Sequence, residues 1–148
     1  CKASSLIEPP SLNNSAAIQY SLHKLKPQGA TPITFSLEPG AYFKVPTGIK
    51  AYLKSDEVLL IVVRSSIGFK YNIRMCNQVG IIDADYYNNI DNEGHIWVKL
   101  QNHGEVDYVV SKGDRICQGI FLPFLIVDDE EEIESIRTGG TGSTDNKN

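Results

Sequence analysis

Cysteine is scarce in this chain, and its pattern is uninformative as a scaffold: three residues in 148, at positions 1, 76 and 117. An odd count at such wide spacing is neither a disulfide framework nor a zinc pattern. Cys76 and Cys117 stand among apolar residues and are expected to be small buried hydrophobes in a reducing compartment. Long hydrophobic runs are absent, and no signal peptide is visible. A cytoplasmic protein with no membrane partner is the expectation. The chain opens on Cys1 rather than Met, so the natural N-terminus is expected to lie upstream. Clustered basic charge is also lacking: Lys and Arg total 14 against 18 Asp and Glu, a net charge of −4. Lys24, Lys26, Lys44, Lys50 and Lys54 are scattered along the sequence. Nothing marks a nucleic-acid surface. What remains is an ordinary composition, sized for one domain with a real core.

What is present is mostly β. Ile33–Leu37, Ala41–Pro46, Lys50–Leu53, Val58–Val63, Ile96–Leu100, Tyr108–Val110, Arg115–Phe121 and Phe124–Val127 are short segments rich in β-branched and aromatic residues. Turn signals separate them, among them Glu38-Pro39-Gly40, Thr47-Gly48, Asn88-Asn89, Asn102-His103-Gly104 and Lys112-Gly113. The spacing predicts an antiparallel sandwich or barrel. A short helix is expected after Ser66, capped by Ser65 or Ser66. Four stretches follow from composition: an irregular N-terminal segment at 1–16, a β domain at 17–127, an acidic linker at 128–136, and a flexible Gly-rich arm at 137–148.

Three segments carry chemistry. Gly80-Ile81-Ile82-Asp83-Ala84-Asp85-Tyr86 sets a carboxylate at the end of an apolar run, with a tyrosine three residues on. Arg64-Ser65-Ser66, just upstream, offers a guanidinium and two hydroxyls suited to phosphate oxygens. Lys112-Gly113-Asp114-Arg115-Ile116-Cys117-Gln118 and the tail Arg137-Thr138-Gly139-Gly140-Thr141-Gly142-Ser143-Thr144 complete the set. In the tail, glycines let backbone wrap closely around phosphates. Taken alone, Asp83 also suits the start of a tight turn, and Tyr86 suits a core.

Together these segments resemble the trimeric dUTPase family (dUTP diphosphatases), from about Val45 to Thr144. The resemblance implies an all-β fold, a distorted jelly-roll β-barrel, assembled as a homotrimer with a flexible C-terminal arm. It implies hydrolysis of dUTP to dUMP and pyrophosphate, with Mg²⁺ carried on the phosphates and waters rather than bound directly by protein. Asp83 would activate the water that attacks the α-phosphorus. Arg64, Ser65, Ser66 and Gln118 would hold phosphates or orient water. Asn77 would read the pairing edge of uracil. Tyr86 would press under the sugar and leave no room for a 2′-hydroxyl, with Tyr87 the competing candidate. Arg137, Gly139, Gly140, Ser143 and Thr144 would close the arm over the nucleotide.

The chain departs from the family pattern in places. Ser21 stands where an aspartate is usual, and Gln19 where a glycine is usual. Thr141 replaces an aromatic that stacks on uracil, a loss of about 1–3 kcal/mol by analogy with base stacking. Arg74 occupies a strand position that is commonly aliphatic. The Asn88–His95 loop resembles a variant of some low-GC Gram-positive bacteria and their phages. His95, with Asp91 and Glu93, is expected to be solvated rather than metal-bound. Two alternatives stand beside the leading one. A dCTP deaminase would need a glutamate on the strand after the third motif, where only the loop residue Glu93 is near. A catalytically weak relative would be retained to bind nucleotide or a protein partner such as a repressor.

Overall fold

The structure is a computed structural model that describes residues 5–7, 19–21, 34–111, 113–125 and 128. Its strands are β1 (Ser5–Ile7), β2 (Gln19–Ser21), β3 (Phe35–Leu37), β4 (Tyr42–Pro46), β5 (Ile49–Ala51), β6 (Glu57–Val63), β7 (Ile73–Met75), β8 (Val79–Ile82), β9 (Trp97–Asn102), β10 (Tyr108–Val110) and β11 (Cys117–Pro123). Among the described residues one helix, α1 (Ser65–Tyr71), and one 3₁₀ turn (Ala84–Tyr86) interrupt them. Among the described residues no helix is long and apolar enough to cross a membrane.

The order β2-β11-β6-β8 makes a four-stranded sheet, and β4-β9-β7 a three-stranded one. Two further pairs are β10 with β3 and β1 with β5. Among the described residues all ladders are antiparallel except β1–β5, a parallel pair that the expected antiparallel arrangement did not include. More than forty residues separate those two strands, ample for the long connection a parallel pair needs. The mostly-β architecture agrees with the expected jelly-roll class.

Strand periodicity explains the core. On β6, Leu59 and Ile61 point inward and are almost fully buried, while Val58, Leu60 and Val62 are half-covered on the opposite face. On β9 the inward set is Val98, Leu100 and Asn102. This is the period of two that a pleated strand imposes. Glu57, also buried, has its carboxylate accept from the Lys54 N–H at 3.0 Å, with Lys54 Nζ at 4.0 Å. Asn102 was expected only as a turn residue, yet it is a buried tie. Its amide donates to the carbonyls of Leu37 (2.7 Å) and Val106 (2.8 Å), and its Oδ1 accepts from Gly104 N–H (2.8 Å). Asn102→Ala leaves three backbone groups without that partner, one of them buried and two part-buried. We expect urea unfolding to show a loss of about 2–3 kcal/mol.

Three local expectations are corrected. The helix starts at Ser65 and so contains both serines; Arg64 is its N-cap, with no side-chain cap bond. It ends at Asn72 in the left-handed region, φ 53°, where asparagine is well tolerated. Phe124 and Leu125 lie outside any strand: β11 stops at Pro123, level with the start of its partner β6 at Glu57, and a single further bond, from the Phe124 N–H to the Asp56 carbonyl at 3.0 Å, follows it. Cys76 is exposed, whereas Cys117 is buried as expected, with its thiol pushed up to about 12 by desolvation.

Candidate active site

The central sheet gathers one group of candidates at one end. Register aligns Ser21 with Gln118, Gln118 with Val62, and Val62 with Val79. Arg64 follows two residues beyond Val62, and Ser65 and Ser66 sit exposed in the first turn of α1. Arg64 is fixed twice to the approach of β11. Its N–H donates to the Ile116 carbonyl at 3.1 Å, and its Nη1 to the Arg115 carbonyl at 3.3 Å. Gln118 is half-buried within β11. Asn77 belongs to the same end, exposed at the tip of the turn between β7 and β8. That turn is closed by Gln78 N–H on the Met75 carbonyl at 2.9 Å, with Gln78 at φ 61°. A surface cleft beside it is lined by residues including Arg74, Cys76 and Gln78. The exposed Arg74 reaches Asn72 Oδ1 with Nε and Nη2 at 3.3 and 3.2 Å.

Asp83 stands at the other end. It directly follows β8, whose last pair is Ile82 with Leu59. Continuing that register sets Asp83 opposite Val58, six residues from Arg64 along β6 and so roughly 20 Å away at about 3.3 Å per residue. Asp83 is exposed in the single chain, since the strand ends at Ile82 and so does not cover it. Its side chain makes no cap hydrogen bond to the 3₁₀ turn that it precedes. A turn-initiating aspartate would make one.

The two tyrosines separate clearly where Tyr86 closes a 3₁₀ turn. Tyr86 is 9% exposed and its hydroxyl donates to the His95 carbonyl at 2.9 Å. Tyr87 turns outward, with Tyr52 edge-on at 5.4 Å and Lys50 Nζ 5.0 Å from its ring centre. Behind Tyr86 lies a polar network that the sequence reading did not anticipate. Asn92 Nδ2 donates to the Tyr86 hydroxyl at 2.9 Å, and Asn89 Nδ2 to the Tyr86 carbonyl at 3.0 Å. The available signal was two asparagines three apart, closed by Gly94.

His95, expected to be solvated, is completely buried. Its Nε2 accepts from the Gly48 N–H at 2.8 Å. A backbone N–H only donates, so the ring is neutral with its proton on Nδ1. Desolvation holds its pKa below the usual histidine range. It packs on Trp97 at 5.0 Å. Gly94, at φ +77°, admits no side chain, since a Cβ would lie 2.7 Å from the Tyr86 carbonyl oxygen and 3.0 Å from Asn88 N. Gly94→Ala is expected to cost about 2–4 kcal/mol in thermal unfolding, from left-handed strain plus displacement of the Tyr86 turn.

Of the sequence-derived candidates, Arg64, Ser65, Ser66, Asn77 and Gln118 share one end of the sheet, and Asp83 and Tyr86 the other. Arg137, Gly139, Gly140, Thr141, Ser143 and Thr144 lie outside the described residues, as does the Ser21 side chain. Among the described residues, no three His, Cys, Asp or Glu side chains converge as a metal site.

A mostly-β domain of the jelly-roll kind, carrying separated carboxylate and arginine–serine groups, is the class that fold and site define. The chain belongs to the dUTPase family, whose model matches residues 30–145. It is 47% identical over 112 residues to the deoxyuridine 5′-triphosphate nucleotidohydrolase of Lactococcus lactis subsp. lactis, covering 75% of each chain. The dUTPase of Streptococcus mutans superposes with a TM-score of 0.64 at 39% identity, over 80% of this chain and 88% of that one. A mutant dUTPase from phage phi11 of S. aureus, described with a structural Mg(II) ion, shares the fold at 17% identity. Its TM-score is 0.58, over 87% of this chain and 91% of that one.

Proposed function

We propose that this protein is a dUTP diphosphatase, converting dUTP and water to dUMP and pyrophosphate at sites shared between copies of a homotrimer. Family membership supports the reaction. The observation that carries the shared site is the opposition of the two residue groups across one sheet. Among the described residues β8 is the outer strand of its sheet, so one backbone edge faces away from β6. A nucleotide lying along that edge meets Asn77 at its uracil end and Tyr86 and Asp83 at its sugar and α-phosphate end. Backbone groups of β8 then join Asn77 in matching the acceptor–donor–acceptor pattern of uracil, which cytosine would mismatch. The same chain's Arg64 lies at the uracil end, the wrong end for phosphates. The phosphate clamp, Arg64 with Ser65, Ser66 and Gln118, therefore comes from a neighbouring copy.

Asp83 takes the proton from water as the new oxygen–phosphorus bond forms and the bond to pyrophosphate breaks. Arg64 and the two serines hold the departing phosphates. When bound, Mg²⁺ would supply charge neutralisation for the triphosphate, carried on the substrate rather than directly on protein side chains. Arg137, Gly139, Gly140, Ser143 and Thr144 would fold over the bound nucleotide and exclude solvent.

The test is pyrophosphate release with Mg²⁺ from dUTP, dTTP, dCTP and UTP in parallel. Selective dUTP turnover is the expected result. Equal turnover of all four nucleotides, or none by a folded protein, would refute the reading.

A further inference from the structure

The hydroxyl of Tyr86 is held from two sides, and both holds come from the Asn88–His95 loop. The hydroxyl donates to the His95 carbonyl at 2.9 Å and accepts from Asn92 Nδ2 at 2.9 Å. Asn92 is itself fixed, because its Oδ1 accepts from Asn89 Nδ2 at 2.7 Å and from Gly94 N–H at 3.0 Å. Asn89 returns to the same tyrosine, donating to its carbonyl at 3.0 Å. Its Oδ1 accepts from the N–H groups of Asp91 (3.1 Å) and Asn92 (3.2 Å). The His95 ring, accepting from Gly48, ties the far end of the loop to the β4–β5 connection. Tyr86 is thus clamped at main chain and hydroxyl by one closed network.

From this geometry we infer that Asn92, supported by Asn89, is a positioning residue for sugar discrimination: it fixes the Tyr86 ring so that a 2′-hydroxyl cannot be accommodated. The inference rests on the proposed dUTP diphosphatase reading. Exclusion by a flat ring works only if the ring cannot retreat, since a shift of about 1 Å is enough to change reactive geometry appreciably. Two hydrogen bonds on a largely buried hydroxyl prevent that retreat. Asn92 touches no reacting atom, so its loss should alter the choice between sugars more than the turnover of the preferred one.

The experiment measures kcat/KM for dUTP and UTP, with melting temperature, in the wild type, Asn92→Ala, Asn92→Asp, Tyr86→Phe and the double variant Tyr86→Phe/Asn92→Ala. Asn92→Asp keeps the acceptor used by Asn89 and Gly94 but removes the donor to the tyrosine, so it reports even if Asn92→Ala fails to fold. The dUTP/UTP ratio should fall about tenfold in each single Asn92 variant and in Tyr86→Phe, mainly through a lower KM for UTP. The double variant should fall no further than Tyr86→Phe alone, because both changes cut one link. Lower melting temperatures with an unchanged ratio would overturn the inference and leave the loop merely structural, as would full additivity in the double variant. Wild-type protein that does not prefer dUTP to UTP would instead overturn the reading beneath it.

Discussion

Asp83→Ala is expected to lower kcat/KM for dUTP by about 10²–10⁴-fold, the range for removing a positioned general base. Stability should change much less. Asp83 is exposed, so the cost in unfolding should stay on the order of 1 kcal/mol, far below the kinetic loss. That pairing of a large kinetic effect with a small structural one separates a base from a turn-former. The measurements are initial rates of pyrophosphate release and urea unfolding of the same preparation. Asp83→Asn is the sharper variant, since it keeps the shape and removes the proton acceptor. Retention of more than about a tenth of wild-type turnover by either variant would remove Asp83 from the role of base.

Mixing two inactive proteins should restore activity. Asp83→Ala keeps an intact Arg64 group, and Arg64→Ala keeps an intact Asp83. If each site takes its base from one copy and its phosphate clamp from another, random mixed trimers contain sites with both groups native. For equal amounts that fraction is about one quarter of all sites, the chance of a native base times that of a native clamp. If each chain held its own complete site, every site would keep one lesion and mixing would restore nothing. The prediction follows from the register, which sets Asp83 opposite Val58 and leaves Arg64 six residues away at the other end of β6. The check is to unfold and refold the two variants together and compare turnover with each refolded alone. Failure of the mixture, with trimers confirmed by light scattering, would refute the shared site while leaving the reaction itself untouched.

Much of the fold was legible because strand signals are local. The run Val58–Val63 became β6 with one added residue, Glu57, and Tyr108–Val110 became β10 unchanged. Alternation, β-branching and Gly or Asn turns are properties of neighbouring residues, and they survive folding. Boundaries failed where composition ran past the partner strand, as after Pro123, where apolar residues continue beyond the start of β6 at Glu57. Exposure failed where the answer depended on distant chain. Cys76, expected to be a buried small hydrophobe, lies on the surface, and His95 lies in a polar loop yet is completely buried beneath the Thr47-Gly48 connection.

The candidate chemistry was likewise carried by residue type and order. Asp83, Tyr86 and Arg64-Ser65-Ser66 are recognisable as motifs because carboxylate, ring and guanidinium have fixed chemical capacities wherever they sit. Their arrangement was not. The sequence determined a mostly-β domain and the inventory of groups needed to handle a deoxynucleoside triphosphate. Only the tertiary structure decided that Gln118 and Arg64 share one end of a sheet while Asp83 and Tyr86 occupy the other. It also decided that Asn89 and Asn92 brace the inner of two adjacent tyrosines. The reason is physical: strand register and loop closure are fixed by cooperative packing of segments tens of residues apart, and no short stretch of sequence encodes such a pairing by itself.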